Sequence, residues 1–131
     1  MNNIPIIFVH FGKCDYLCWS VDQAAKTNPR SRIIVLTDEK QDLVERPNVE
    51  VHDLYDYFNG ASDFAVYYNH LSTNSFHFEL ACFQRWEVIK EFCEKEKIED
   101  FFYCDSDVLL FCDIGVAQET FSTCLYTVTN N

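Results

Sequence analysis

Two stretches of this chain are apolar at nearly every position: Ile4-Pro5-Ile6-Ile7-Phe8-Val9-His10 and Arg32-Ile33-Ile34-Val35-Leu36-Thr37-Asp38. A strand with one wet face alternates apolar and polar residues. A strand that does not alternate is covered on both faces, the condition of a parallel sheet held between layers of helix. Pro5 is tolerable at a strand start. These two runs therefore direct the chain toward a layered α/β architecture.

The intervening sequence keeps that rhythm. Phe11-Gly12-Lys13 reads as a loop. Asp15 to Thr27 reads as a helix with Leu17, Cys18, Val21, Ala24 and Ala25 on one face, an acid at its start, and Asn28-Pro29 ending it. Gln41 to Glu45 fits one turn of helix before Pro47. Val49-Glu50-Val51-His52-Asp53-Leu54 alternates more and reads as a third strand nearer a sheet edge. Leu54 to Thr73, rich in Tyr, Asn, Ser and Asp, reads as irregular with one short helical piece. Phe76 to Lys97 is the longest periodic segment and predicts a helix capped by Asn74 or Ser75, with Glu79 near its first turn. Strand, helix, strand, strand, helix, strand is the order of a mostly parallel sheet. At 131 residues the chain is one domain's worth.

Phe101-Phe102-Tyr103-Cys104-Asp105-Ser106-Asp107-Val108-Leu109-Leu110-Phe111 carries the chemistry. Phe101 to Cys104 reads as a short buried strand and Val108 to Phe111 as a second one. Asp105 and Asp107 lie between them, at the carboxyl end of the first, where open α/β sheets bind ligands. Two hard carboxylate oxygens suit Mg²⁺ or Mn²⁺, which also take phosphate oxygens as ligands. The plain alternative is a polar turn between strands, since Asp and Ser favour turns.

The long helix adds a second signal. At about 100° per residue, Phe78, Cys82, Ile89 and Phe92 share one face. Gln84, Glu87, Lys90, Glu91 and Glu94 share the other. Arg85 falls in the middle of the apolar face. A buried guanidinium cannot lose its proton and requires an anion. Asp105, Asp107, Asp38 or a bound phosphate would serve, and otherwise Arg85 snorkels to water or braces a structural carboxylate.

Composition removes several function classes. Ten basic against 21 acidic residues give a net charge of -11, which repels nucleic acid and anionic membrane surfaces. No run approaches a membrane span, and the first residues do not resemble a secretory leader. With only Gly12, Gly60 and Gly115, neither a dinucleotide fingerprint nor a phosphate-binding Walker loop can be written. No Gly-x-Ser-x-Gly elbow is present. Seven cysteines, mostly inside apolar segments, fit free thiols in a reducing compartment, the cytoplasm. His10, Cys14 and Cys18 recur every four residues, but without a Cys-x-x-Cys pair core thiols are the favoured reading over a metal site.

The two buried strands, the helix bearing Phe83-Gln84-Arg85-Trp86, and the Asp105-Ser106-Asp107 stretch together resemble the nucleotide-sugar-binding half of a GT-A-fold glycosyltransferase, over Ile4 to about Phe121. The resemblance implies a Rossmann-like sheet flanked by helices. It implies Mn²⁺ or Mg²⁺ held by Asp105 and Asp107 and bridging the diphosphate of a nucleoside diphosphate sugar, a UDP-sugar in the first instance. It assigns His10, Phe11 and Gly12 to the base and ribose and Asp38 to the neighbourhood of the base. Arg85 goes to the motif or the phosphates, and Asp105 and Ser106 to the donor. A sugar or glycan is the implied acceptor.

Such enzymes continue into an acceptor-binding half that supplies a further metal ligand and, in inverting enzymes, the base. After Cys112 only Asp113 and Glu119 are acidic, and neither is marked as a base. The expectation is a truncated chain, binding donor but not transferring by itself. Its sheet edge would be open, with Phe111, Phe121, Leu125 and Tyr126 near exposed apolar surface. That edge would serve self-association or take Thr120–Val128 as an added strand. The alternatives are a non-catalytic nucleotide-binding or interaction module and, less favoured, a HAD-type phosphatase, whose Asp-x-Asp normally opens the fold.

Overall fold

The computed structural model describes residues 3–121 and residue 123. Along the chain lie strand β1 (Ile6–His10), helix α1 (Leu17–Thr27), strand β2 (Ile33–Thr37) and strand β3 (Val49–Asp53). A 3-10 turn (Leu54–Tyr57) comes next, then helices α2 (Asn59–Tyr67) and α3 (Phe76–Glu96), strand β4 (Phe102–Tyr103) and helix α4 (Ile114–Phe121). The four strands form one sheet in the order β3-β2-β1-β4, and every pairing is parallel. This is the α/β layered sheet the apolar runs predict, with β3 at an edge.

The lack of alternation in β1 and β2 now has its cause. Ile6, Phe8, Ile33 and Val35 pack with Leu17, Val21, Ala24 and Ala25 of α1. Their neighbours Ile7, Val9, Ile34 and Leu36 point the other way and pack with Val88, Ile89 and Phe92 of α3 and with Leu54, Tyr57 and Ala61. Successive strand residues face opposite sides, so each of Ile6 to Val9 and Ile33 to Leu36 meets a core. A fully buried side chain of this size contributes about 1.5–3 kcal/mol.

Helix α3 is well bounded. The Ser75 hydroxyl accepts from the Phe78 N–H at 3.3 Å. At the other end Lys97 adopts a left-handed conformation (φ 56), and the Ile98 N–H returns to the Cys93 carbonyl at 2.9 Å. This is the helix stop that glycine usually supplies, here taken by lysine.

Several local expectations are corrected. Helix α1 begins at Leu17, with Tyr16 rather than Asp15 flanking it. Residues 41–45 form no helical turn, and the Gln41 side chain turns inward to donate to the Gly12 carbonyl and the Thr37 hydroxyl. Residues 54–73 hold two helical pieces. The faces of α3 also shift. Phe78 is exposed. Gln84 is buried because α3 packs on α2 as well as on the sheet, and it donates to the Ala61 carbonyl across that contact at 3.0 Å.

Val108 to Phe111 is not a strand. Backbone groups in and just after this segment go to side chains of α1 and its C-cap. The Leu110 carbonyl accepts from the Thr27 hydroxyl at 2.9 Å and the Cys112 carbonyl from Asn28 Nδ2 at 3.1 Å. Asn28 Oδ1 accepts from the Ile114 N–H at 2.7 Å and so anchors the start of α4.

Phe111 and Phe121 are exposed. Thr120 and Phe121 lie in α4 rather than in an added strand, whereas Leu125, Tyr126 and the tail to Val128 lie outside the described residues. Six free cysteines are present among those described. Burial pushes the Cys93 thiol up to about 11, and burial with the nearby Asp105 and Asp107 pushes Cys104 up to about 12. Among the described residues no helix is long and apolar enough to cross a membrane.

Candidate functional site at the carboxyl edge of the sheet

Strand β1 has β2 on one side and β4 on the other. The chain moves outward from β1 in one direction through β2 and β3, then returns to the opposite side for β4. This reversal makes the carboxyl ends of β1 and β4 a topological switch point, the place where sheets of this kind open a crevice for ligands. His10 ends β1, Asp38 comes directly after β2, and Asp105 lies two residues beyond β4.

The loop after β1 is tied to the loop after β2. The Gly12 N–H donates to Asp38 Oδ1 at 2.7 Å, and the Gly12 carbonyl accepts from Gln41 Nε2 at 2.7 Å. Gly12 has φ of 79 with nothing near its missing Cβ, so the backbone conformation and not space favours glycine there. One Asp38 oxygen is thus spent on the loop. Phe11 meets the Phe58 ring edge-on at 6.5 Å, and Phe58 in turn meets Tyr55 at 5.0 Å. These rings form an aromatic group between the loop after β1 and the turn after β3.

Asp105 to Val108 is a β-turn, closed by the Val108 N–H on the Asp105 carbonyl at 3.1 Å. In this respect the plain turn reading of Asp105-Ser106-Asp107 is correct, and the turn sits at the switch point. Ser106 is clamped twice. Its hydroxyl lies 2.8 Å from His10 Nδ1, and its carbonyl accepts from the Ser20 hydroxyl at 2.7 Å. Burial lowers the His10 pKa below its ordinary value, with Asp38 partly offsetting this. The Tyr16 ring stands edge-on to the His10 ring at 6.0 Å.

Asp105 is held from the other side. Arg85 Nη1 donates to Asp105 Oδ1 at 2.8 Å and to the Tyr103 hydroxyl at 2.6 Å. The Tyr103 hydroxyl donates to the same Asp105 oxygen at 2.8 Å. Arg85 Nε donates to the Cys82 carbonyl at 2.9 Å, which fixes the guanidinium plane. Burial opposes the Arg85 charge, and its contacts with Tyr103 and Asp105 more than restore it. Burial and Asp105 together push the Tyr103 hydroxyl far above its ordinary pKa, so it remains a donor. Trp86 leans on the Tyr103 ring at 4.8 Å.

The requirement that Arg85 find an anion is met by the motif itself. Because the Asp105 side chain is 55% exposed, the pair is worth about 1 kcal/mol or less, the range of surface ion pairs, and not that of a buried one.

The candidate residues thus assemble as linked pairs: Gly12 with Asp38, His10 with Ser106, Arg85 with Asp105. Asp107 is exposed, and its charge adds to burial and to Cys14 in raising the Tyr16 hydroxyl pKa. Sequence reasoning does not single out Tyr16, Ser20, Gln41 or Tyr103. Tyr103 is findable, because it lies in the short strand that the sequence predicts and ends β4, two residues before Asp105. Ser20 carries no such signal, since a serine among apolar helix residues announces no partner.

Among the described residues no group of three or more His, Cys, Asp or Glu side chains could hold a metal ion. A closed protein cage is therefore not on offer among them. Asp105 keeps its second carboxylate oxygen outside the Arg85–Tyr103 contact, and Asp107 is exposed. No protein-family model, no curated protein and no solved structure matches this chain.

Proposed function

We propose that this chain is the donor-binding half of a GT-A-type glycosyltransferase, taking a nucleoside diphosphate sugar, in the first instance a UDP-sugar, at the carboxyl edge of its sheet. The observation that carries this reading is the convergence of the His10–Gly12 loop, Asp38 and the Asp105–Asp107 turn on the switch point of a parallel sheet. The base and ribose would lie against Phe11 and the aromatic group beside it. The diphosphate would lie toward the motif turn.

Asp105 and Asp107 would hold Mn²⁺ or Mg²⁺, which supplies positive charge to a departing diphosphate. The protein's own part is to hold the turn rigid, and three contacts do so: His10 on the Ser106 hydroxyl, Ser20 on the Ser106 carbonyl, and the Arg85–Tyr103 pair on one Asp105 oxygen. His10 and Ser106 accordingly act here as positioning residues for the carboxylates beside them. The acidity of the chain is no obstacle, because a bound cation reverses the local field. A sugar or glycan acceptor would be served by residues beyond this site.

Calorimetry with a panel of nucleoside diphosphates, with and without Mn²⁺, tests the reading. Binding should require the metal and prefer a diphosphate, and Asp105→Asn should reduce it at least tenfold. Metal-independent binding, or full binding by Asp105→Asn, would sink the assignment. A non-catalytic module using the same site would bind in the same way but show no hydrolysis of a donor sugar.

A further inference from the structure

The motif carries its own counter-ion. Arg85 Nη1 and the Tyr103 hydroxyl both donate to Asp105 Oδ1, and Arg85 is fixed in place by its bond to the Cys82 carbonyl. A guanidinium held this way offsets part of the charge that two carboxylates would present to a bare divalent cation. It also occupies one of the two Asp105 oxygens. A cation arriving alone would therefore meet one free oxygen of Asp105, the exposed Asp107, and a nearby fixed positive charge. A cation arriving with a diphosphate brings further negative charge, and Arg85 then attracts where it previously repelled.

We infer that Arg85, oriented by Tyr103, keeps the affinity of this site for the bare metal low and makes metal and diphosphate bind as a mutually dependent pair. This rests on the proposed donor site and adds its regulation. The sign of the effect is diagnostic. Removing the Arg85 charge should strengthen binding of the metal by itself and weaken binding of the diphosphate in its presence. A residue that merely braced the fold would move both in the same direction when lost. Reciprocity of linked binding requires that the same loss of coupling be seen from either ligand.

The test uses the full chain and two probes, Mn²⁺ alone, monitored by electron paramagnetic resonance of the free ion, and UDP titrated at saturating Mn²⁺. Thermal melts of each variant establish that it is folded. Arg85→Gln should tighten Mn²⁺ alone by about fivefold, the equivalent of one exposed charge pair, and weaken UDP by a similar factor. Arg85→Lys keeps the charge and should stay within about twofold of the parent for Mn²⁺ alone. An Arg85→Gln chain that binds bare Mn²⁺ no tighter than the parent overturns the inference, as does an Arg85→Lys chain that tightens as much as Arg85→Gln. Either result leaves the site itself standing if the parent still binds UDP in an Mn²⁺-dependent way. If the parent shows no Mn²⁺-dependent UDP binding, the site and the inference fall together.

Discussion

Strands β1 and β4 are neighbours in one sheet, yet they are held by different forces. β1 pairs with β2 over five residues, from Ile6 with Ile33 to His10 with Thr37, and Ile6, Ile7 and Phe8 are wholly buried. β4 pairs with β1 over two residues, Phe102 and Tyr103, and both are only partly buried. The segment after β4 is secured by polar side chains reaching from elsewhere: His10 and Ser20 to Ser106, Thr27 to Leu110, Asn28 to Cys112 and Ile114, Arg85 to Asp105. The first strand is placed by the hydrophobic effect, which is large and indifferent to direction. The motif turn is anchored at its ends by Cys104, Val108 and Leu110 in that same core, but its side chains are aimed by hydrogen bonds, which are individually small but directional. Asp105 and Ser106 take their orientation from the second kind of support, standing on the first.

This contrast can be broken at three points. Phe8→Ala should have the largest effect, about 3–5 kcal/mol of stability in chemical denaturation, as expected for a wholly buried ring. A loss below about 1 kcal/mol would mean that the β1 core is not the foundation of the fold.

Asn28→Ala should cost about 1–3 kcal/mol, because it strips partners from the buried Ile114 N–H and from the Cys112 carbonyl. Hydrogen exchange should show the damage concentrated at residues 110–116 and sparing β1 and β2. Uniform loss of protection would erase the distinction between the two regions.

The smallest effect concerns pH and His10. Burial holds its folded pKa below the ordinary 6.5. As pH falls through 6.5 the unfolded chain takes up a proton that the folded chain does not yet accept, so stability declines with falling pH across that window. Stability measured at a series of pH values should slope downward there in the parent. The slope should be shallower in His10→Gln, which cannot titrate but can still meet Ser106. Identical slopes in the two chains would show that His10 is not the group responsible.

The β4 region is also where sequence reasoning fares worst. It treats Val108 to Phe111 as a strand because four apolar residues after a turn look like one. A ladder needs a free neighbouring edge and free backbone groups, and here Thr27 and Asn28 have already claimed the carbonyls of Leu110 and Cys112. Nothing in residues 108–111 announces a partner 83 positions earlier in the chain. Gln84 teaches the same lesson. Its polarity places it on the wet face of α3, and the approach of α2 buries it against the Ala61 carbonyl.

The sequence by itself determined the part governed by periodicity and by the demand of charge for a partner. Unbroken apolar runs require covering on both faces, so β1 and β2 and their parallel sheet were legible from residues 4–10 and 32–38. An arginine on the apolar face of a helix requires an anion, so the meeting of Arg85 with a carboxylate was legible too. Tertiary structure alone decided which carboxylate it meets, the order β3-β2-β1-β4 that creates the switch point, and the clamping of Ser106 by His10 and Ser20. The physical reason is range. Burial patterns are written locally, in neighbours a few residues apart. Hydrogen-bond geometry between residues 10 and 106 exists only once the sheet has brought the two strands side by side.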